Sequence, residues 1–343
     1  KATVFPKPIA MGCMWDNELM LRIGTAIGNE ARAKHRSVVS LHGYSDIHFG
    51  LTFFSPTLNI ARDPRWGRTS ECFSEDPLIT SDMGVAFIKG LQGDDPYYLK
   101  AVATAKHFVA NNEENRRLDG SATIDEVSLR EYYFPAFKEA IIRGHVTSVM
   151  GAYNALNGIP CCANPMLLNN ILREEWGFQG VVISDGSAID KIFTHHKYLP
   201  TLEESAAAAL KAGCDMSLRD EYRSGLKEAY ARGLIDVNDL DQAAGRVLTL
   251  RARLGLDKDT DKGNPYKNIP YSIVECTEHQ QLALEAAEKS MVLLKNNGLL
   301  PLNLQTPDRK LNIALMHSKQ CIMVTIAVCR TTILPYSIAC NRK

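Results

Sequence analysis

The stretch GVVISD, residues 180–185, is a short apolar run that ends on the carboxylate of Asp185. Four other runs of similar length and character lie at residues 51–55, 101–105, 147–152 and 214–218. Short, nearly continuous apolar runs are typical of strands whose two faces are both covered, as in a parallel sheet. We therefore predict five strands of one parallel sheet, with Asp185 at the end of the fourth.

Longer amphipathic stretches alternate with these runs. In the clearest, residues 128–143, apolar side chains recur at near-helical spacing. Helices are also predicted for residues 204–212, 221–232 and 240–254. Strands that alternate with helices over about 250 residues indicate a (β/α)8 TIM-type barrel, and a doubly wound open sheet is the alternative. No GxGxxG follows a predicted strand, so the sequence shows no dinucleotide site.

The predicted domains divide the chain into four parts. We expect residues 1–256 to form the (β/α)8-like barrel, whose first element we expect upstream of Lys1. Residues 257–277, charged and interrupted by Gly and Pro, form a linker. Residues 278–316 begin a second α/β sandwich domain. Residues 317–343 are an anomalous tail, because 321–343 contain three of the nine cysteines and no Gly, Asp or Glu. We interpret the tail as the product of a shifted reading frame, with an unusual exposed tail as the alternative.

The composition excludes several classes of function. Lys+Arg and Asp+Glu both number 39, and this balance argues against a nucleic-acid partner. No apolar run approaches the roughly 18 residues of a membrane helix, so no membrane partner is predicted. None of the nine cysteines forms a CxxC pair, and no third ligand accompanies His195 and His196. We therefore predict neither a metal nor another cofactor.

Polar side chains follow the predicted strands at the edge where a barrel carries its active site. Arg68 comes after the first run, Lys106 and His107 after the second, Tyr153 after the third, and Asp185 after the fourth. We expect the charges of Lys106 and Arg68 to hold Asp185 ionised. A carboxylate that acts as the nucleophile of a glycosidase must be in this form. Each residue alone has another interpretation. Asp185 could cap a helix, and Lys106 could form a Schiff base in an aldolase.

Several long motifs resemble those of glycoside hydrolase family 3, in the same order and at similar spacing. They are ARDPRWGRTSECFSED (61–76), ATAKHF (103–108), SVMGAYNALNGIPCCANPMLL (148–168) and GFQGVVISD (177–185). EAAEKSMVLLKNNGLLPL (285–302) resembles the family's passage into its second domain, and the resemblance extends over about residues 2–315. It implies a retaining exo-β-glycosidase that removes terminal β-D-xylosyl or β-D-glucosyl residues from an oligosaccharide or aryl β-glycoside.

The resemblance also implies roles for individual residues. Asp185 matches the nucleophile that forms a covalent glycosyl intermediate. The positions that match sugar-binding residues are Arg68, Lys106, His107, Met150 and Tyr153.

The sequence departs from the family pattern at three points, which are the residue after Asp185, an early substrate-binding aspartate and the general acid, and one further segment argues against the aminosugar branch of the family. Gly186 stands where many β-glucosidases of the family have Trp, which slightly favours a xylosidase-like member. The segment KHFVANNEENRR lacks the histidine typical of the aminosugar branch. The general acid and an early substrate-binding aspartate are expected outside these residues, so an inactive sugar-binding fragment is the alternative. If the acid were internal, Glu113 and Glu114 would be its candidates.

Overall fold

The computed structural model describes residues 1–46, 48–257, 261–298 and 300–301, and two further strands at 312–316 and 325–329. The chain forms two compact units, Lys1–Val292 and Leu293–Lys343. The α-helices of the described residues are α1 (Pro8–Gly12), α2 (Asn17–His42), α3 (Pro77–Gln92), α4 (Glu126–Ser128), α5 (Pro135–Ile142), α6 (Ala188–Thr194), α7 (Leu202–Lys211), α8 (Glu221–Ala231), α9 (Val237–Arg253) and α10 (Thr277–Lys289). None of them is both long and apolar enough to cross a membrane.

The strands of the first unit are β1 (Thr52–Phe53), β2 (Val102–Phe108), β3 (Ser121–Ala122), β4 (Ser148–Gly151), β5 (Ala155–Leu156), β6 (Ile159–Pro160) and β7 (Val181–Ser184). A parallel sheet has the order β1-β2-β4-β7, with Thr52 opposite Val102 and Gly151 opposite Ser184. Each strand lies beside the next one of this sheet along the chain, as in a succession of β-α-β units. The small strands β3, β5 and β6 form a separate sheet.

The fifth predicted strand, residues 214–218, is reduced to a bridge between Met216 and Ile183. The side chain of Asp215 explains this difference, because its Oδ2 accepts a hydrogen bond of 2.8 Å from the backbone N–H of Val182. Asp215 thereby takes a donor that a regular ladder would use. The described sheet is parallel, as predicted, but four strands do not show a closed barrel.

The helix predicted at residues 128–143 is interrupted. It divides into α4, a π-helical turn at Leu129–Tyr133, and α5. Pro135 explains the break, because it has no backbone N–H and its ring clashes with the preceding turn. Another π-helical segment, Met166–Glu175, lies between β6 and β7.

Helices α2 and α3 pack closely at two glycines. A Cβ atom on Gly24 would lie 2.6 Å from the Phe87 carbonyl oxygen, and one on Gly90 would lie 2.2 Å from that of Leu21. Both are far inside van der Waals contact, so only glycine allows these backbones to approach. The main apolar core lies where these helices and α5 cover the sheet.

Residues of the predicted linker and of α10 are bound to the first unit. The hydroxyl of Tyr266 accepts hydrogen bonds of 2.9 Å from the backbone N–H groups of Asp94 and Asp95. Lys289 of α10 pairs with Asp16 at 2.8 Å. Helix α10, which we assigned to the second domain, therefore lies in the first compact unit. The assignment of complete ranges to domains stays a prediction.

The second unit contains an antiparallel pair, β8 (Asn312–Met316) and β9 (Thr325–Cys329). Strand β8 lies at the end of the range, 278–316, that we assigned to the start of a second domain. Strand β9 lies within the range assigned to an anomalous tail. The other residues of that range, 317–324 and 330–343, lie outside the described residues.

Glu30 of α2 joins the N-terminal segment, the predicted linker and α10. Its buried carboxylate accepts hydrogen bonds from the backbone and hydroxyl of Thr3, and from the backbone of Glu275 at 3.1 Å. His279 contacts it at 2.7 Å. Burial raises the pKa of Glu30, but the hydrogen bonds from Thr3 and His279 outweigh burial and hold the pKa below its ordinary value.

We expect Glu30→Ala to lower the free energy of unfolding by about 2–3 kcal/mol, because several buried donors lose their acceptor. Chemical denaturation at neutral pH measures the loss. Because the pKa of Glu30 is lowered, its stabilising effect is complete above the unfolded-state pKa and is lost as pH falls through the folded-state value. The difference between wild type and variant should therefore shrink in acid.

The exposed Glu18, also on α2, provides the matched control. Glu18→Ala should change stability by no more than about 0.5 kcal/mol. Equal losses for both variants would contradict the role assigned to Glu30.

Candidate active site

The carboxyl end of the parallel sheet brings together side chains that are far apart in sequence. Asp185 follows β7 directly, and its backbone N–H donates to Gly151 at the end of β4. Lys106 and His107 lie inside β2, which extends three residues further than predicted. The Nε2 atom of His107 is 3.5 Å from the Oδ2 atom of Asp185. The fold thus places an imidazole and a carboxyl in contact at this edge.

Asn59 fixes the ring of the buried His107. The Oδ1 atom of Asn59 accepts the backbone N–H of His107 at 2.7 Å and lies 3.2 Å from the ring atom Nδ1. Because Oδ1 is an acceptor, the ring proton belongs on Nδ1, which leaves Nε2 as an acceptor. The guanidinium of Arg68 lies 3.2 Å from that Nε2. Burial, followed by the charges of Arg68 and Lys106, lowers the pKa of His107 well below its ordinary value, so the imidazole is neutral.

Glu71 holds Arg68 in place. The Nε and Nη2 atoms of Arg68 donate to the two carboxylate oxygens of Glu71 at 2.9 and 2.8 Å, a bidentate geometry. This hydrogen bonding raises the pKa of Arg68 and lowers that of Glu71. Arg68 is therefore a fixed cation that points one nitrogen at His107.

The two oxygens of Asp185 have different surroundings. Oδ1 accepts the backbone N–H of Gly186 at 2.7 Å. Oδ2 is buried and has no hydrogen-bond partner among the described residues. A buried acceptor without a partner costs free energy, and such atoms often mark functional sites. Oδ2 is therefore a buried acceptor that the described protein groups leave unsatisfied.

Burial controls the electrostatics of Asp185. It raises the pKa of Asp185, while the Gly186 N–H and the charges of Lys106, Arg117 and Arg68 act in the opposite direction. Burial has the larger effect on this pKa, and the ionised state expected for Asp185 stays a prediction. Burial also lowers the pKa of Lys106, while the carboxylates of Glu71 and Asp185 partly offset this effect.

Tyr153 and Arg117 form a wall beside Asp185. The hydroxyl of Tyr153 donates to the carbonyl oxygen of Gly186, and the guanidinium of Arg117 lies 4.7 Å from the centre of the Tyr153 ring. Arg117 also donates to Glu114 at 3.1 Å, and the indole of Trp66 donates to the other oxygen of Glu114 at 3.1 Å. Sequence reasoning missed Arg117, whose sequence signal is its i,i+3 spacing from Glu114, the residue with which it pairs.

The surroundings of three further candidates, Met150, Glu113 and Lys106, are also defined. Met150 lies inside β4 and is buried, and its contact with a sugar stays a prediction. Glu113 caps its own turn, because its two oxygens accept the backbone N–H groups of Asn115 and Arg116 at 2.7 Å. Lys106 lines a cavity of about 430 Å³ together with Glu71. Within the described ranges, no group of three or more His, Cys, Asp or Glu side chains could hold a metal ion.

We expect Lys106→Met to raise the pKa of Asp185 further, because the variant removes a cation that lowers it. Lys106→Arg keeps the charge and should leave the pKa nearly unchanged. A pH titration of the ¹³C carboxyl resonance of Asp185, assigned by its loss in Asp185→Asn, measures the difference. A pKa that is unchanged or lower in Lys106→Met would contradict the electrostatic account.

Comparison with known proteins identifies the family. A family model described as the glycosyl hydrolase family 3 N terminal domain matches residues 1–250. A probable exo-1,4-beta-xylosidase bxlB of Aspergillus terreus (strain NIH 2624 / FGSC A1156) is 41% identical over 88% of this chain and 39% of its own length. Beta-D-xylosidase 3 of Arabidopsis thaliana is 36% identical over the same shares. The chain thus spans about 39% of the length of these relatives.

Solved structures agree with this result. A GH3 exo-beta-xylosidase (XlnD) in complex with a xylobiose aziridine activity based probe matches with a TM-score of 0.81 and 34% identity, over 89% of this chain and 39% of that one. A beta-glucosidase from Listeria innocua matches with a TM-score of 0.75 and 33% identity, over 88% and 40%. The fold is accordingly a TIM-like α/β fold with a parallel sheet. The chain belongs to glycosyl hydrolase family 3, and residues 1–250 match its N-terminal domain.

Proposed function

We propose that this chain carries the sugar-cleaving site of a retaining exo-β-glycosidase, with Asp185 as its nucleophile. The observation that carries the proposal is the buried Oδ2 atom of Asp185, which has no hydrogen-bond partner among the described residues and lies 3.5 Å from the neutral His107. An unpartnered carboxylate oxygen keeps its lone pairs available for the anomeric carbon. A retaining mechanism requires that attack and passes through a glycosyl ester on the carboxylate.

The neighbouring side chains supply contacts of complementary type for sugar hydroxyls. Lys106 and Arg68 are cationic donors, whereas Nε2 of the neutral His107 is an acceptor that a sugar hydroxyl would take over from Arg68, which lies 3.2 Å away. A hydroxyl both donates and accepts, so it can use a donor and an acceptor at the same time. Such contacts catalyse when they strengthen as the ring flattens toward the transition state. We assign these three residues to the sugar whose bond is cleaved.

The proposed fold extends beyond the described sheet. We infer that β1, β2, β4 and β7 belong to a (β/α)8 barrel that is followed by a second α/β sandwich domain. The sequential parallel order of these strands supports the barrel. The structural similarity to family 3 enzymes supports it as well.

The proposed substrate is a β-D-xylosyl residue at a non-reducing end, with β-D-glucosyl as the second candidate. A Cβ atom on Gly186 would lie 3.3 Å from the Tyr153 hydroxyl, so a side chain at this position would crowd Tyr153. Relatives named as xylosidases support the first sugar, and neighbours named as β-glucosidases support the second. The lowered pKa of Lys106 suits a Schiff-base amine, but the family similarity favours glycoside cleavage over an aldolase.

A 2-deoxy-2-fluoro-β-xyloside with a dinitrophenyl leaving group should label Asp185 covalently. Fluorine slows both the formation and the hydrolysis of the ester, but the good leaving group restores the rate of formation only, so the ester accumulates. Peptide mass mapping locates the label. Asp185→Asn should remain unlabelled.

Attachment to Asp190 or Asp215 would contradict the assignment of the nucleophile. Asp215 is an informative comparison, because each of its carboxylate oxygens lies 2.7 Å from a guanidinium nitrogen. Oδ2 pairs with Arg173, and Oδ1 pairs with Arg246. Those ion pairs make its carboxylate a structural group.

The carboxyls around Asp185 do not present a free proton donor within the described part of the chain. Glu71 is held by Arg68, Glu114 by Trp66 and Arg117, and Glu113 by its own turn. General acid catalysis contributes about 10²–10⁴-fold and matters most for poor leaving groups. This arrangement also supports the alternative of a sugar-binding fragment without turnover.

We expect kcat/KM to depend steeply on the acidity of the leaving group. Dinitrophenyl β-xyloside should be cleaved at least about 100-fold faster than xylobiose, since only the latter needs a proton donor. Azide should accelerate turnover of the aryl substrate by attacking the ester without a general base, and β-xylosyl azide should form. Equal kcat/KM values for the two substrates would show that a general acid is present.

A further inference from the structure

Trp15 is the exposed one of three tryptophans. Its side chain is 77% exposed, whereas Trp66 and Trp176 are each 6% exposed. A large apolar ring in water loses the stabilisation that burial would provide. The indole of Trp15 therefore does not contribute to the fold of this chain through burial.

The backbone at Trp15 is also costly. Its φ angle is +49°, in the left-handed region that residues with a Cβ rarely occupy. The residue lies between α1 and the N-cap of α2, where Asp16 accepts the backbone N–H of Leu19 at 2.9 Å. Strained residues that are held in place by their neighbours are concentrated at binding sites. Neither burial nor relaxed backbone geometry therefore accounts for a tryptophan at this position.

Trp15 forms one wall of a groove of about 380 Å³, which we name the Trp15 groove. Its other apolar residues, at the start of α3, include Leu78, which is 67% exposed. The complete lining is Trp15, Asn17, Asp76, Leu78, Ile79, Asp82 and Met83. The groove thus combines an aromatic and aliphatic floor with a rim of one amide and two carboxylates.

The two carboxylates each retain one unused oxygen. Asp76 caps α3 through Oδ1, which accepts from the backbone N–H groups of Leu78 and Ile79. Asp82 binds Arg143 at 2.8 Å, also through Oδ1. No donor contacts either Oδ2 atom in the part of the chain that the structure describes. Both remain available to accept hydrogen bonds from a ligand.

This combination fits a neutral sugar chain. The face of an indole packs against the C–H groups of a sugar ring, and carboxylate oxygens accept charge-assisted hydrogen bonds from hydroxyls. An anionic ligand is disfavoured by Asp76 and Asp82, and Arg143, the cation bound to Asp82, is already paired. Helix α3 follows β1, so its first turn lies at the carboxyl end of the sheet, as does Asp185.

We propose that the Trp15 groove is a second carbohydrate site, which holds a neutral sugar chain without taking part in bond cleavage; that this chain is β-linked rests on the proposed function. A chain held there remains near the enzyme between cleavage events. The site does not depend on the chemistry assigned to Asp185.

The fluorescence of Trp15 provides a direct assay, because acrylamide reaches exposed tryptophans and the other two are buried. The measurement uses Asp185→Asn, so that xylohexaose is not shortened during binding. Xylohexaose should protect Trp15 from quenching.

In the same Asp185→Asn background, Trp15→Ala should weaken binding to insoluble xylan about tenfold, whereas Trp15→Phe keeps an aromatic face and should retain most of the binding. Tyr44→Ala is the matched control, because it removes a 69% exposed ring that does not line the groove, and it should leave xylan binding unchanged.

Trp15→Ala in the otherwise unmodified chain should hydrolyse dinitrophenyl β-xyloside at the parent rate. If xylohexaose protects Trp15 but the unmodified chain hydrolyses no dinitrophenyl β-xyloside, the groove proposal stands and the proposed function is rejected. Unchanged quenching with xylohexaose, or unchanged xylan binding by Trp15→Ala, would overturn the groove proposal. Protection that grows with protein concentration without sugar would also overturn it, because a second copy would then occupy the groove.

Discussion

The contact between the buried carboxyl of Asp185 and the neutral imidazole of His107 is the constraint on which the site depends. Burial raises the pKa of Asp185 and lowers that of His107, so it disfavours charge on both groups. Arg68 and Lys106 oppose this effect at Asp185 and reinforce it at His107. The same two cations thus favour a charged carboxylate at Asp185 beside a neutral acceptor at His107, which is the combination that the proposed reaction requires.

The surrounding structure fixes these groups before any sugar arrives. Asn59 determines which nitrogen of His107 carries the proton, and Glu71 holds Arg68 by two hydrogen bonds. Tyr153 binds the carbonyl of Gly186, whose N–H binds Asp185. Electrostatic groups that are already oriented need little reorganisation during the reaction. Most of the supporting contacts connect different strands and loops, so they depend on the parallel sheet.

Apolar runs predicted the parallel strands because covered strands have a simple sequence signature. The predictions failed where a single residue interrupts a regular element. Asp215 interrupts the fifth strand by accepting the backbone N–H of Val182, and Pro135 interrupts the helix predicted at residues 128–143. The position of Asp185 at a strand end was predictable for the same reason. The stacking of Arg117 on Tyr153 was not, because it depends on a loop conformation. The direction of the pKa shift of Asp185 also required the structure, since it reflects a balance between burial and charge.

The anomeric configuration of the first product tests the central claim most directly. Attack by Asp185 followed by attack of water inverts the anomeric carbon twice, so the product should retain the substrate's configuration. Proton NMR spectra recorded during the first minutes of dinitrophenyl β-xyloside hydrolysis distinguish the two anomers before mutarotation mixes them. The account predicts β-xylose as the first product. Initial formation of α-xylose would contradict a nucleophilic role for Asp185.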